Sequence, residues 1–154
     1  MRRKYPRAQA VGNAGAFRFG ELVTSMFRWP VRFLSESTDR GVEAEIEVRD
    51  EDNNANGKLI RAHIVTTNYS LNSGASMCIL FSEDLEHLCE LTIPVVVVYV
   101  DMSAYPGVYW RPLDRDQLAR EAPMIFTFER DDLMIASSKF KLAALRPLRK
   151  RCRK

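Results

Sequence analysis

Apolar and polar residues alternate in two neighbouring runs of this chain. In the first, Val42, Ala44, Ile46 and Val48 share one face, which puts Glu43, Glu45 and Glu47 on the other. In the second, Ile60, Ala62 and Ile64 point one way and Arg61, His63 and Val65 the other. Between them stands Asn56-Gly57, a strong turn signal. The stretch Asp39 to Thr66 is therefore expected to fold as a β-hairpin with one apolar and one polar face. Gly41 suits a place just before the strand where the backbone needs freedom. In a plausible register, Glu47 opposes Arg61, Glu45 opposes His63 and Glu43 opposes Val65, and cross-strand pairs of opposite charge stabilise by only a few tenths to about 1 kcal/mol.

Upstream, Phe19, Leu22, Val23, Met26 and Phe27 fall at helical spacing, so Gly12 to Trp29 reads as an amphipathic helix closed by Pro30. Glu21 lies beside its apolar stripe, where it either stays exposed or approaches the hairpin. Val31 to Leu34 is a short first strand. Downstream come a polar loop from Thr67 to Ala75, a strand from Met77 to Phe81, and a helix that Ser82 caps and that runs to about Leu91. Pro94 to Asp101, with four consecutive valines, is the run expected of a central strand covered on both faces. Further strands are expected at Val108 to Leu113 and Met124 to Phe128, then a helix from Asp131 and Asp132 toward Pro147. These elements predict an α/β layered domain with a mixed central sheet flanked by helices and no second core.

The formal net charge of +3 conceals a segregation. Residues 1 to 7 and 146 to 154 hold ten bases and no acid, so the ends carry +10 and residues 8 to 145 carry −7. The chain divides into a basic arm (1–11), a single domain (12–145) and a basic tail (146–154). Such ends favour contact with a polyanion, or serve solubility alone. Cys78, Cys89 and Cys152 are odd in number and far apart, which suggests neither a zinc site nor a disulfide framework and fits a reducing cytoplasm. No signal-peptide pattern follows Met1, and the apolar run Ile93 to Val100 is too short to span a bilayer, so no membrane association is expected.

Gly-rich phosphate loops, H-E-x-x-H and G-x-S-x-G are all absent, and two histidines cannot build a histidine-rich metal centre. The acids at 50 to 52 lack the spacing of a calcium loop and read as a solvated tip. His87 has three glutamates nearby in sequence and is assigned no role. There remains the acidic strand, since carboxylates converging beside a strand end can hold Mg²⁺. Such a site also needs a cation, normally Lys, because the phosphodiester transition state gains negative charge.

The segments Asp39-x-Gly-Val-Glu-Ala-Glu-Ile-Glu-Val, Gly57-x-Leu-Ile-x-Ala-His-Ile-Val, Ile93-Pro-Val-Val-Val-Val and Val108-Tyr-Trp resemble the bacterial domain of unknown function numbered 4365. That family is similar to the PD-(D/E)XK nucleases, and the resemblance runs from about Gly12 to Leu113. It implies a restriction-endonuclease-like core in which a hairpin carries a metal-binding acid and a Gln-x-Lys or Glu-x-Lys pair, supported by a helical Glu. On this resemblance the helical Glu is Glu21, and Asp39, Gly41 and Glu47 stand where the family has Asp, Gly and Glu. The departures fall on the chemistry. The metal-binding Asp position is Glu43, the Gln position His63 and the Lys position Val65, which leaves Glu43 and His63 as the metal candidates. Glu for Asp lengthens the arm against the strict octahedral demand of Mg²⁺, and imidazole suits softer metals. Val removes the cation, for which Arg61 is the nearest replacement in sequence.

Three functions are compatible with this pattern. The first is a catalytically silent nuclease-like domain without a cofactor, binding nucleic acid or a nucleic-acid-handling partner in a setting such as bacterial or phage defence. Its grip would come from Arg2, Arg3 and Lys4 and from Arg149, Lys150, Arg151, Arg153 and Lys154. The second is a divergent Mg²⁺-dependent endonuclease using Glu21, Asp39, Glu43, His63 and Arg61. The third is a regulatory protein-interaction subunit of a larger complex, with aromatics around Tyr105 to Trp110 as its contact patch.

Overall fold

The computed structural model describes residues 7–34, 41–67, 76–80, 92–103, 107–114 and 124–147. Its elements are helix α1 (Arg7–Phe27), strands β1 (Val31–Phe33), β2 (Ala44–Arg49), β3 (Ala55–Thr67), β4 (Ser76–Leu80), β5 (Val95–Asp101), β6 (Gly107–Pro112) and β7 (Met124–Phe128), and a short closing helix α2 (Ser138–Ala143). Five strands form a mixed sheet in the order β1-β2-β3-β5-β6, and β4 pairs with β7 in a separate two-stranded sheet. The first three strands are antiparallel, β3 and β5 run parallel, and β6 returns antiparallel.

Two apolar layers sandwich the sheet, as the alternation requires. Phe19, Val23 and Phe27 recur every four residues along α1 and bury themselves with Ala44, Ile46, Ile60, Ala62, Val96 and Val98. The opposite face carries Val95, Val97 and Tyr99 against Phe126 and Phe128 of β7. β5 therefore has apolar cover on both sides, and all seven of its residues are buried. This is the physical reason its sequence does not alternate.

The helix begins at Arg7, where the sequence predicts the basic arm to continue to residue 11. It ends two residues short of Trp29, because Arg28 turns into the left-handed region (φ 59°) and Trp29 enters the core against Phe27, ring centroids 5.3 Å apart. Gly15 lies so close to β3 that a Cβ there would stand 1.9 Å from Thr66 Oγ1, which makes glycine the residue that lets α1 approach the sheet.

The hairpin forms, but not with the expected turn or register. The chain reverses at Asp50–Asn54, where Asp50 N–H donates to Asn54 O, Asn54 N–H donates to Asp50 Oδ1, and Asn53 takes the left-handed conformation (φ 64°). Asn56-Gly57 lies inside β3, in an irregularity where the pairing steps from Glu47↔Leu59 to Arg49↔Ala55, with Gly57 at φ 76°. The register is shifted by two residues from the expected one, so that Glu45 faces Arg61 and Glu47 faces Leu59. Val42 also departs from its predicted face. Glu43 N–H donates to the carbonyl of Ala62, the residue that also faces Ala44, so two residues oppose one and the alternation changes phase. Val42 then joins Val95, Val97 and Tyr99 on the far side.

The strands expected at 31–34, 77–81, 94–101, 108–113 and 124–128 are present within a residue or two of their predicted ends. The closing helix is much shorter than predicted. Arg130–Asp132 form one 3-10 turn, Leu133 bridges to Tyr109, and Met134 N–H donates to Val108 O at 2.7 Å, so this segment lies along β6 before Ser138 opens α2. Thr67, where the polar loop is expected to begin, still belongs to β3, and the rest of that loop, 68–75, and the helix expected at 82–91 lie outside the described residues. Among the described residues no helix is long and apolar enough to cross a membrane.

Candidate functional site

The polar face of the β2–β3 hairpin holds every described residue that the sequence marks for chemistry, except Glu21. Glu45 is its centre. Buried near the start of β2, it receives Arg32 Nη2 from β1 at 2.8 Å on Oε1 and Arg61 Nε from β3 at 3.1 Å on Oε2. The two guanidiniums come from opposite sides because Arg32 and Arg61 are the cross-strand neighbours of Glu45 on either flank. Two residues further along β2, Glu47 pairs with Arg49 of the same strand at 3.2 Å.

Glu43 and His63 meet at the other end of this face, with 3.6 Å between Glu43 Oε2 and His63 Nδ1. The Glu43 side chain is partly exposed and that of His63 largely buried, and each is tied to the main chain. The Glu43 carboxylate accepts the backbone N–H of Ile64 at 2.7 Å, in place of the main-chain acceptor that the irregular pairing removes. His63 Nδ1 donates to the Gly41 carbonyl at 2.5 Å. A ring nitrogen that carries a proton has no lone pair to give a metal, so Nδ1 is a tie between strand and turn in this arrangement. Gly41 adopts φ 74°, the freedom expected of it. Val65 follows on the same side of β3 and contributes to the apolar cluster there.

Glu21 stands apart from these groups. It is exposed on α1, pairs with Arg18 at 3.4 Å, and borders an apolar groove of about 380 Å³ with Phe17, Gly20, Val31 and Phe33. α1 covers the face of Ile60 and Ile64, whereas His63 shares the opposite face with its neighbour Val97, so the sheet itself separates Glu21 from His63. Asp39 and the basic residues Arg2, Arg3, Lys4, Arg149, Lys150, Arg151, Arg153 and Lys154 lie outside the described residues. Among the described residues no three His, Cys, Asp or Glu side chains converge as a metal-holding group.

Two participants escape a reading by sequence. Arg32 sits in a three-residue strand whose place beside β2 only the sheet order reveals. Asp101 is buried at the carboxyl end of β5, beside Thr67 of the parallel β3, and its Oδ1 accepts Ser103 N–H at 2.8 Å. An acid ending an apolar strand is a visible signal, but its burial depends on β6 folding back over it. Burial first, and then the Asp101 charge, push the Tyr109 hydroxyl above its ordinary pKa, while Arg130 acts in the opposite direction.

Compared with known proteins, the chain matches no family model, no curated protein and no solved structure.

Proposed function

We infer that this chain is a catalytically silent, restriction-endonuclease-like domain that binds nucleic acid, or a partner that handles nucleic acid, through its basic ends. One observation carries the reading: Glu43 and His63, which the resemblance makes the metal-binding acid and its polar companion, lie 3.6 Å apart, yet each is held by the main chain. The order of helix, three antiparallel strands and a parallel fourth supports the nuclease-like side of this reading. Val65 at the lysine position supports the silent side, because a phosphodiester transition state at this spot would lack its cation. Arg61, the replacement that a divergent Mg²⁺-dependent endonuclease would use, has its Nε donated to Glu45. The charge segregation, with bases concentrated at both ends and acids in the body, favours phosphate contacts by the ends over a duplex lying across the sheet.

The test is calorimetric titration of Mg²⁺ and Mn²⁺ together with plasmid cleavage on the same sample, followed by polynucleotide binding at several salt concentrations. No metal binding, no cleavage, and an affinity that falls steeply with salt are expected. Micromolar metal binding followed by cleavage that Glu43→Ala abolishes would overturn the silent reading in favour of the enzyme. Binding that survives deletion of residues 1–6 and 148–154 would overturn the assignment to the ends.

A further inference from the structure

The closing helix presents an aromatic side chain to solvent among cations. Ser138 and Leu142, four residues apart, are buried, Leu142 in the core that covers the sheet, and the intervening Phe140 turns outward, 64% exposed. Lys58 Nζ of β3 donates to the Ala143 carbonyl and pins this helix to the hairpin, so the outward position of Phe140 belongs to the fold. Lys139 precedes it, and the exposed Lys141 and Arg146 follow. From Leu133 to Lys154 the chain carries eight bases and no acid.

We propose that Phe140 is a base-stacking platform for single-stranded nucleic acid, with Lys139, Lys141 and Arg146 contacting the flanking phosphates. This rests on the nucleic-acid reading above and specifies its partner. Charge complementarity selects a polyanion, since the segment carries eight Lys and Arg side chains and no Asp or Glu. The aromatic ring selects among polyanions. A duplex keeps its bases stacked on one another, whereas a single strand offers each base face to a ring, and such stacking is tolerant of sequence. The acidic body adds to the preference, because a thin flexible strand can follow the basic segment while a rigid duplex would be brought close to the carboxylates.

The experiment is fluorescence anisotropy on the full chain with labelled dT20, rU20 and a 20-base-pair duplex, using wild type, Phe140→Ala, Phe140→Trp and the pair Lys141→Gln/Arg146→Gln. The exposure of Phe140 means that thermal unfolding should stay at the wild-type midpoint in the first two variants, which keeps the comparison clean. Single strands should bind more tightly than the duplex. Phe140→Ala should weaken single-strand binding by at least about fivefold with the salt slope unchanged, and Phe140→Trp should restore it. The charge variant should instead lower the salt slope. If Phe140→Ala binds dT20 and rU20 as the wild type does, or the duplex binds equally well, the stacking proposal falls and the nucleic-acid reading stands. If no polynucleotide binds even at low salt, both fall. Phe140-dependent binding to phosphatidylserine vesicles without binding to dT20 or rU20 would overturn the proposal in favour of an anionic membrane surface.

Discussion

Arg61 and Glu45 face one another across the hairpin, with Nε to Oε2 at 3.1 Å, and the carboxylate is buried while the guanidinium is largely so. Arg32 reaches the other oxygen of the same carboxylate at 2.8 Å but is two-thirds exposed. The two bonds to one carboxylate are therefore unequal in their consequences. Glu45→Ala leaves Arg61 partly buried without this partner and should cost about 2–3 kcal/mol. Arg32→Ala should cost under about 1 kcal/mol, because solvent screens an exposed pair. Urea midpoints of the single and double variants measure both values, and the combined loss should be smaller than their sum.

Glu43 should behave as a structural acceptor. Its carboxylate takes the Ile64 N–H at 2.7 Å, so Glu43→Gln, which keeps a carbonyl oxygen in reach, should lose little stability. Glu43→Ala leaves that N–H without this acceptor and should cost about 1–2 kcal/mol in the same denaturation assay. Amide hydrogen exchange gives the local readout, and Ile64 should lose protection in the alanine variant alone.

Packing of α1 on the sheet depends on Gly15. A methyl group there would meet Thr66 Oγ1 at 1.9 Å, Cγ2 at 2.5 Å and Cβ at 2.7 Å. Gly15→Ala should therefore destabilise by about 1–3 kcal/mol, although alanine is the better helix former. Adding Thr66→Ala removes the two nearest atoms but not the Cβ, so thermal unfolding of the double variant should recover part of the loss.

Tyr109 should leave a signature at alkaline pH. Burial, and then the nearby Asp101 charge, raise its pKa above the ordinary value of about 10. The folded state then holds the phenolic proton to a higher pH than the unfolded chain does, so its contribution is fully present below about pH 10 and is lost as pH rises through the folded-state value. Stability should decline with pH above about 10, and Tyr109→Phe should decline less over the same interval. Urea midpoints taken from pH 8 to 11 on both proteins isolate the effect.

The hairpin marks where reading by sequence stopped. The alternation at 44–48 and 60–65 was legible, because a pleated strand with one face on a core leaves a period of two. The register was not. Asn56-Gly57 is the stronger turn signal taken alone, yet Asp50 builds the turn with its own side chain, and Gly57 serves an irregularity instead. A shift of two residues leaves every side chain on its face, so the hydrophobic pattern could not detect it. It nonetheless gives Arg61 to Glu45 in place of Glu47, which decides the ion pairs of the candidate site.

The apolar run at 95–100 and the strand at 124–128 were equally plain in the residues, but not which sheet each would join or that Phe126 and Phe128 would cover Val95 and Val97. Periodicity also suggested a long closing helix, since it does not register the strand edge whose Val108 carbonyl takes the Met134 N–H. By itself the sequence determined most of the strands and the faces of 44–48 and 60–65, because these follow from local spacing and residue chemistry. Only the tertiary structure decided that the sheet stands between Glu21 and His63, that Glu43 caps an amide, and that Phe140 faces outward, because each depends on partners brought together from distant parts of the chain.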